Sequence, residues 1–237
     1  MSYPLKREIN LKISSKVVLL SLLTSLLTSN ASAADAHASN VAIEQAQRKE
    51  SVSDDQAQIT LLAKLAKLEN LAASFTQHIY DVDNNLLQSG EGQFTLAAPN
   101  YVNWQTTSPE ASTMVSDGET LWLFDPFIEQ VTAYSLANSI NNTPILLLTS
   151  NDESLWQQYE VNQLTNHQFK VTAKSEDAQV KALLLGFNSD VLSSFTIVDA
   201  TGQHSEFVLA NTVVNQEIAS EVFSFTIPEG VLLDDQR

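Results

Sequence analysis

Cysteine is absent from all 237 residues. Its absence excludes disulfide staples, so an exported chain of this size must be held by a packed core, and roughly 200 residues are enough to bury one. Basic residues are also scarce, 12 Lys and Arg against 28 Asp and Glu, for a formal charge of −16. None lies between Lys67 and Lys170. A field of that sign repels nucleic acid and anionic lipid surfaces. It leaves two readings, simple solubility or a basic protein partner. Catalytic signatures are missing as well: there is no HExxH pair, no GxSxG elbow and no Walker loop, and Gly90-x-Gly92 lacks a third glycine at the required spacing. His37, His78, His167 and His204 are scattered without a metal-ligand cadence. The acidic doublets Asp54-Asp55, Asp152-Glu153, Glu176-Asp177 and Asp234-Asp235 lack the interleaved spacing of a calcium loop and read as solvated faces. No catalytic residue, metal or cofactor is therefore expected. A hydrolase remains a remote alternative, because triads share geometry rather than local spacing.

What is present begins at the N-terminus. Lys6, Arg7, Lys12 and Lys16 precede an apolar run from Val17 to Leu27, and Ala31-Ser32-Ala33 follows as a small-residue cleavage site. This is the pattern of a secretory signal peptide over residues 1–33, whose run of roughly 11 residues is too short to span a bilayer. No cysteine follows that run, so lipid modification of the bacterial lipoprotein kind is excluded there. Removing residues 1–33 takes away four of the basic residues and Glu8, leaving a formal charge of −19. Residues 34–53 are polar and without apolar periodicity, a tether or a frayed helix. The remaining residues, 54–237, carry the folded domain.

That domain opens with Leu61, Leu65 and Leu68 at helical spacing behind an acidic start. After Leu71 the period switches to two: Phe75 and Ile79, then Phe94 and Leu96, then Tyr101 to Thr106. Turn signals at Asp83-Asn84-Asn85 and Asp117-Gly118 predict hairpins in a mainly β, antiparallel meander. Thr143 as N-cap and Pro144 at the first helical position predict a short apolar helix through Leu148. Strand-type runs resume at Tyr159–Val161, Phe169–Val171, Ala182–Phe187, Phe195–Val198 and Phe207–Leu209. A helical turn at Ile218–Val222 and a last run at Phe223–Ile227 close the chain.

One strand carries four consecutive apolar residues, Leu121, Trp122, Leu123 and Phe124. Side chains alternate between faces, so this part of the sheet needs apolar cover on both. Trp104, Trp122, Phe124, Phe127, Leu146, Leu148 and Phe195 are the candidates for an internal apolar surface. Pattern alone favours the plainer reading, a closed core.

The motifs change that balance. VSDGETLWLFDPFIEQVT (Val115–Thr132), NTP (Asn142–Pro144), LWQQY (Leu155–Tyr159) and FTIPEGVLLDDQ (Phe225–Gln236), with ASFTQ (Ala73–Gln77) and PN-x-x-NW (Pro99–Trp104), closely resemble the periplasmic outer-membrane lipoprotein carrier family over most of the chain. The resemblance implies a monomeric, unclosed, curved antiparallel half-barrel whose concave apolar side is covered by a short helical lid. It implies a periplasmic carrier that takes acylated lipoproteins from an inner-membrane ABC-type transporter and hands them to an outer-membrane acceptor lipoprotein. A related acceptor or another periplasmic lipid-binding module is the alternative, and the missing cysteine counts against an acceptor. By resemblance, Pro144, Ile145, Leu146, Leu147 and Leu148 form the lid, with Leu148 facing Phe195 across the mouth and Trp104, Trp122 and Phe124 on the sheet. One position departs: where well-known members place an arginine that latches the empty lid, this chain has Ala98. Three acyl chains represent on the order of 30 kcal/mol of apolar surface at about 0.8 kcal/mol per CH₂. A carrier must offer them an oily interior.

Overall fold

The computed structural model describes residues 55–139, 144–150 and 152–237. The expected signal peptide and polar tether, and Thr143 as a helix cap, lie outside the described residues. Helix α1 (residues 55–65) puts Ala57, Leu61 and Leu65 on one buried stripe at a spacing of four, the face a 3.6-residue period turns toward a core.

Twelve strands follow: β1 (Asn70–Tyr80), β2 (Leu86–Ala97), β3 (Tyr101–Ser108), β4 (Ser112–Asp117), β5 (Thr120–Asp125), β6 (Gln130–Ser135), β7 (Tyr159–Thr165), β8 (Gln168–Ala173), β9 (Val180–Asn188), β10 (Val191–Asp199), β11 (His204–Val214) and β12 (Leu232–Gln236). They form one sheet in the order β12-β6-β5-β4-β3-β2-β1-β11-β10-β9-β8-β7, leaving β12 and β7 as its two edges. Hairpins connect most neighbours, as the turn signals predict, and the long strands β1 and β11 join the two meanders. Between β6 and β7 the chain leaves the sheet for α2 (Leu136–Ser139), a 3₁₀ helix (Pro144–Leu148) and α3 (Glu153–Trp156).

Two ring positions show that the sheet curls. Trp104 on β3 and Phe195 on β10 are four strand spacings apart, about 19 Å if the sheet were flat. Their ring centroids lie 6.1 Å apart. The side chains meet over a concave face, and the sheet stays unclosed because β12 and β7 do not pair.

The C-terminal segment differs from the sequence expectation. Phe223–Ile227 keeps its period of two, with Phe223, Phe225 and Ile227 turned inward and Ser224 and Thr226 exposed, but it pairs with no strand. Its inward side chains instead lie on the outer face of the sheet: Phe223 against Tyr101 at 5.4 Å, and Phe225 against Trp122 at 5.7 Å and Phe124 at 6.1 Å. The last strand is β12, further along, and it runs parallel to β6 rather than antiparallel. A parallel neighbour requires a crossover, and the segment across the outer face supplies it.

Candidate functional site

The site grows from side-chain rows that sheet register creates. Ala73, Phe94, Trp104, Met114 and Leu123 stand directly opposite one another across five strands, so they share one face. Phe207, Phe195, Leu185 and Phe169 form a second row across β11, β10, β9 and β8. Phe75 joins the two, 4.5 Å from Trp104 and 5.5 Å from Phe207, while Phe195 and Phe207 stack at 4.5 Å and Phe94 and Trp104 at 5.1 Å. Gly92 makes room for this junction: a Cβ there would meet the Phe75 ring at 2.6 Å and collide with the carbonyl oxygen of Gln105. The glycine pair that lacks a phosphate-loop spacing thus has a packing role.

The segments that share a buried cluster with these rows are apolar. Ile145, Leu146, Leu147 and Leu148 are all buried, as are Leu61 and Leu65 of α1, and all belong to the cluster that contains Phe94, Phe195 and Phe207. The short helix expected at Pro144–Leu148 is present as 3₁₀ rather than α; at three residues per turn its side chains point all round the axis, so the burial of four successive residues means that the turn is enclosed on every side. Leu148 and Phe195 both lie in this cluster.

A charged clip ties α1 to the turn between β9 and β10. Lys64 Nζ lies 2.8 Å from Asp190 Oδ1 and 3.0 Å from the Ser189 carbonyl oxygen, and Lys67 Nζ lies 2.9 Å from Asp190 Oδ2. Hydrogen bonds from Lys64 and Lys67, reinforced by their charges, pull the Asp190 carboxyl down from 3.8 to about 2. The Lys64 ammonium also sits 5.5 Å above the Phe187 ring.

Three of the sequence candidates fall elsewhere. Trp122 and Phe124 occupy the outer face, because Trp122 is in register with Val115 and Ala133, and Phe124 with Thr113 and Val131, one residue out of phase with Leu121 and Leu123. The Trp122 indole Nε1 donates to Asp117 Oδ2 at 2.9 Å, and Arg237 lies 5.3 Å over its ring. Burial raises the Asp117 carboxyl, but hydrogen bonds from Trp122 and the Thr120 and Glu119 amides outweigh it and leave the group below its ordinary value. Phe127 is in the β5–β6 turn and 80% exposed. Trp104, Leu146, Leu148 and Phe195 are brought together, and Phe75, Phe94 and Phe207 join them. Those three lie in the expected strand-type runs, but nothing local marked them as site residues.

The interior is almost wholly hydrocarbon. Among the described residues, two buried side-chain polar atoms lack a hydrogen-bond partner, Asn100 Oδ1 and the indole Nε1 of Trp156. Leaving a buried donor unmet costs about 1–3 kcal/mol. No group of three or more His, Cys, Asp or Glu among the described residues could hold a metal ion.

Residues 66–226 match the family model for the outer membrane lipoprotein carrier protein LolA. The outer-membrane lipoprotein carrier protein of Pectobacterium carotovorum subsp. carotovorum is 41% identical over 178 residues, which cover 75% of this chain and 87% of that protein. The carrier protein of Serratia proteamaculans is 42% identical over 190 residues, 79% of this chain and 91% of that one. That of Shewanella loihica is 38% identical over 187 residues, 79% and 88% respectively. The chain therefore belongs to the outer-membrane lipoprotein carrier family.

Proposed function

We propose that this chain is a periplasmic carrier of acylated lipoproteins. It accepts them as an inner-membrane ABC-type transporter releases them, shields their acyl chains between the aromatic rows and the lid, and delivers them to an outer-membrane acceptor lipoprotein. The observation that supports this reading is the concave face itself: Phe75, Phe94, Trp104, Phe195 and Phe207 share one apolar cluster with Ile145–Leu148 and with Leu61 and Leu65 of α1, the segments this reading takes as the cover. Such contacts are non-directional, so acyl chains can replace the cover's side chains without stranding a hydrogen bond.

The closed arrangement also sets how tightly cargo is held. In this structure the rows and the cover satisfy one another, so a bound chain gains only the difference between its own contacts and those it displaces. Apparent affinity falls by the fraction of protein in the competent, open form. That suits a carrier, which must release what it binds. The chain has no Walker loop, so the energy for extraction comes from the transporter and delivery runs toward the tighter acceptor.

The test is release of newly made lipoprotein from spheroplasts by the purified mature protein, followed by mass analysis of what co-purifies. Soluble one-to-one complexes with acylated lipoprotein support the reading. Lipoprotein retained on the cytoplasmic membrane at saturating carrier overturns it.

A further inference from the structure

Trp156 ends α3, is 1% exposed, and packs in the same cluster as the lid leucines and Phe195. Its ring stands edge-on to Tyr159 with centroids 6.5 Å apart. The indole N–H has no acceptor among the described residues. By contrast, the indole of Trp122 on the outer face is satisfied by Asp117. The closed protein gains nothing from the N–H it buries, because that donor is desolvated without an acceptor. A buried donor left without an acceptor calls for an explanation, and a partner that enters with the ligand is one. The proposed cargo brings hydrogen-bond acceptors into such a place: each fatty chain begins at an ester or amide carbonyl.

We propose that the Trp156 indole N–H is the interior's hydrogen-bond donor to an acyl carbonyl of the bound lipid, so that the site distinguishes acyl chains from alkyl chains of equal length. This rests on the carrier reading and adds to it a chemical preference that greasy contact alone cannot supply. Hydrocarbon packing scales with buried area and is blind to the carbonyl. One donor at a fixed depth also sets how far the chains enter.

The experiment uses the mature protein and a short peptide whose cysteine is tripalmitoylated, compared with two analogues. In one, both ester carbonyls are replaced by ether methylenes; in the other, the amide is replaced by a trans-alkene isostere, which removes the carbonyl and stays uncharged. Wild type should bind the parent about three- to tenfold more tightly than one of the analogues, as a net hydrogen bond allows. The analogue that weakens identifies the ester or the amide as the acceptor. Trp156→Phe should bring that ratio close to one. Equal binding of all three peptides, or a ratio unchanged in Trp156→Phe, overturns the proposal. Failure of the parent peptide to bind at all overturns the carrier reading and this proposal together, whereas binding without carbonyl preference removes only the role of Trp156.

A second measurement needs no Trp156 variant. The three tryptophans give three indole N–H resonances, and Trp104→Phe and Trp122→Phe proteins assign the third by elimination. That resonance should move downfield with the parent peptide and not with the analogue that lacks the accepting carbonyl. An identical shift with every peptide contradicts the assignment.

Discussion

Lys64 Nζ lies 2.8 Å from Asp190 Oδ1 and ties helix α1 to the turn between β9 and β10. Lys67 shares the same carboxylate. The clip joins α1 to the β9–β10 turn and is a cationic fastening at a different place from Ala98. Asp190 is depressed in the folded protein, from 3.8 to about 2. Its contribution is therefore present above about pH 4 and disappears as the pH falls through about 2. The pair is solvent-exposed, so salt weakens it too. Asp190→Asn should raise hydrogen exchange of the α1 amides a few-fold at neutral pH and low salt, with little change at high salt. Equal exchange in variant and wild type at low salt would show that the clip is idle.

Ala98 predicts a weakly latched lid. An arginine at this position that reached the lid carbonyls would strengthen closure by about 1.5–3 kcal/mol, the contribution of a hydrogen bond to a charged group. Ala98→Arg should slow exchange of the Ile145–Leu148 amides and slow uptake of acylated peptide. Unchanged exchange at those amides contradicts the expectation.

Leu147 is buried within the cover. Truncation to alanine removes contacts made only when the cover is closed, so Leu147→Ala should destabilise the closed form by about 2–4 kcal/mol and speed ligand entry. Stopped-flow fluorescence of a labelled acyl peptide checks the rate, and urea melts check the stability. Slower entry with lower stability would mean that the cover does not gate the site.

Phe225 stacks on Trp122 on the outer face. Phe225→Ala should lower global stability by about 2 kcal/mol, less than the 3–5 typical of a fully buried phenylalanine, because Phe225 is half-buried. Affinity for acyl peptide, measured well below the melting temperature, should stay within twofold of wild type. A tenfold loss of affinity would place ligand on the outer face.

The strand pattern, the hairpin turns, the Leu61 and Leu65 positions of the α1 stripe and the short apolar helical turn at Pro144–Leu148 were legible because each is written in a few neighbouring residues. The run Leu121–Phe124 also stated correctly that both faces are covered. Which two of its residues face inward was not legible, because phase is set by register with Met114 and Thr132, and a shift of one residue exchanges the faces. Trp122 and Phe124 were therefore read as interior on size alone. The row that unites Phe75 with Phe207 depends on β1 meeting β11, more than a hundred residues away. Local spacing carries no trace of that pairing. Leu232–Gln236 is short and polar apart from its two leucines, and its place beside β6 follows from the path of Phe223–Ile227 across the outer face rather than from strand propensity.

The central claim is that the concave rows, filled here by the protein's own side chains, yield to acyl chains. Photochemical labelling tests it most directly, with a triacylated peptide carrying a diazirine midway along one chain, followed by peptide mapping of the adducts. Labels on β1, β2, β3, β10 and β11 around Phe75, Phe94, Trp104, Phe195 and Phe207, and on the Ile145–Leu148 turn, are predicted. Labels confined to Trp122, Phe124 and Phe225, or none above the level seen with unrelated protein, would contradict the account.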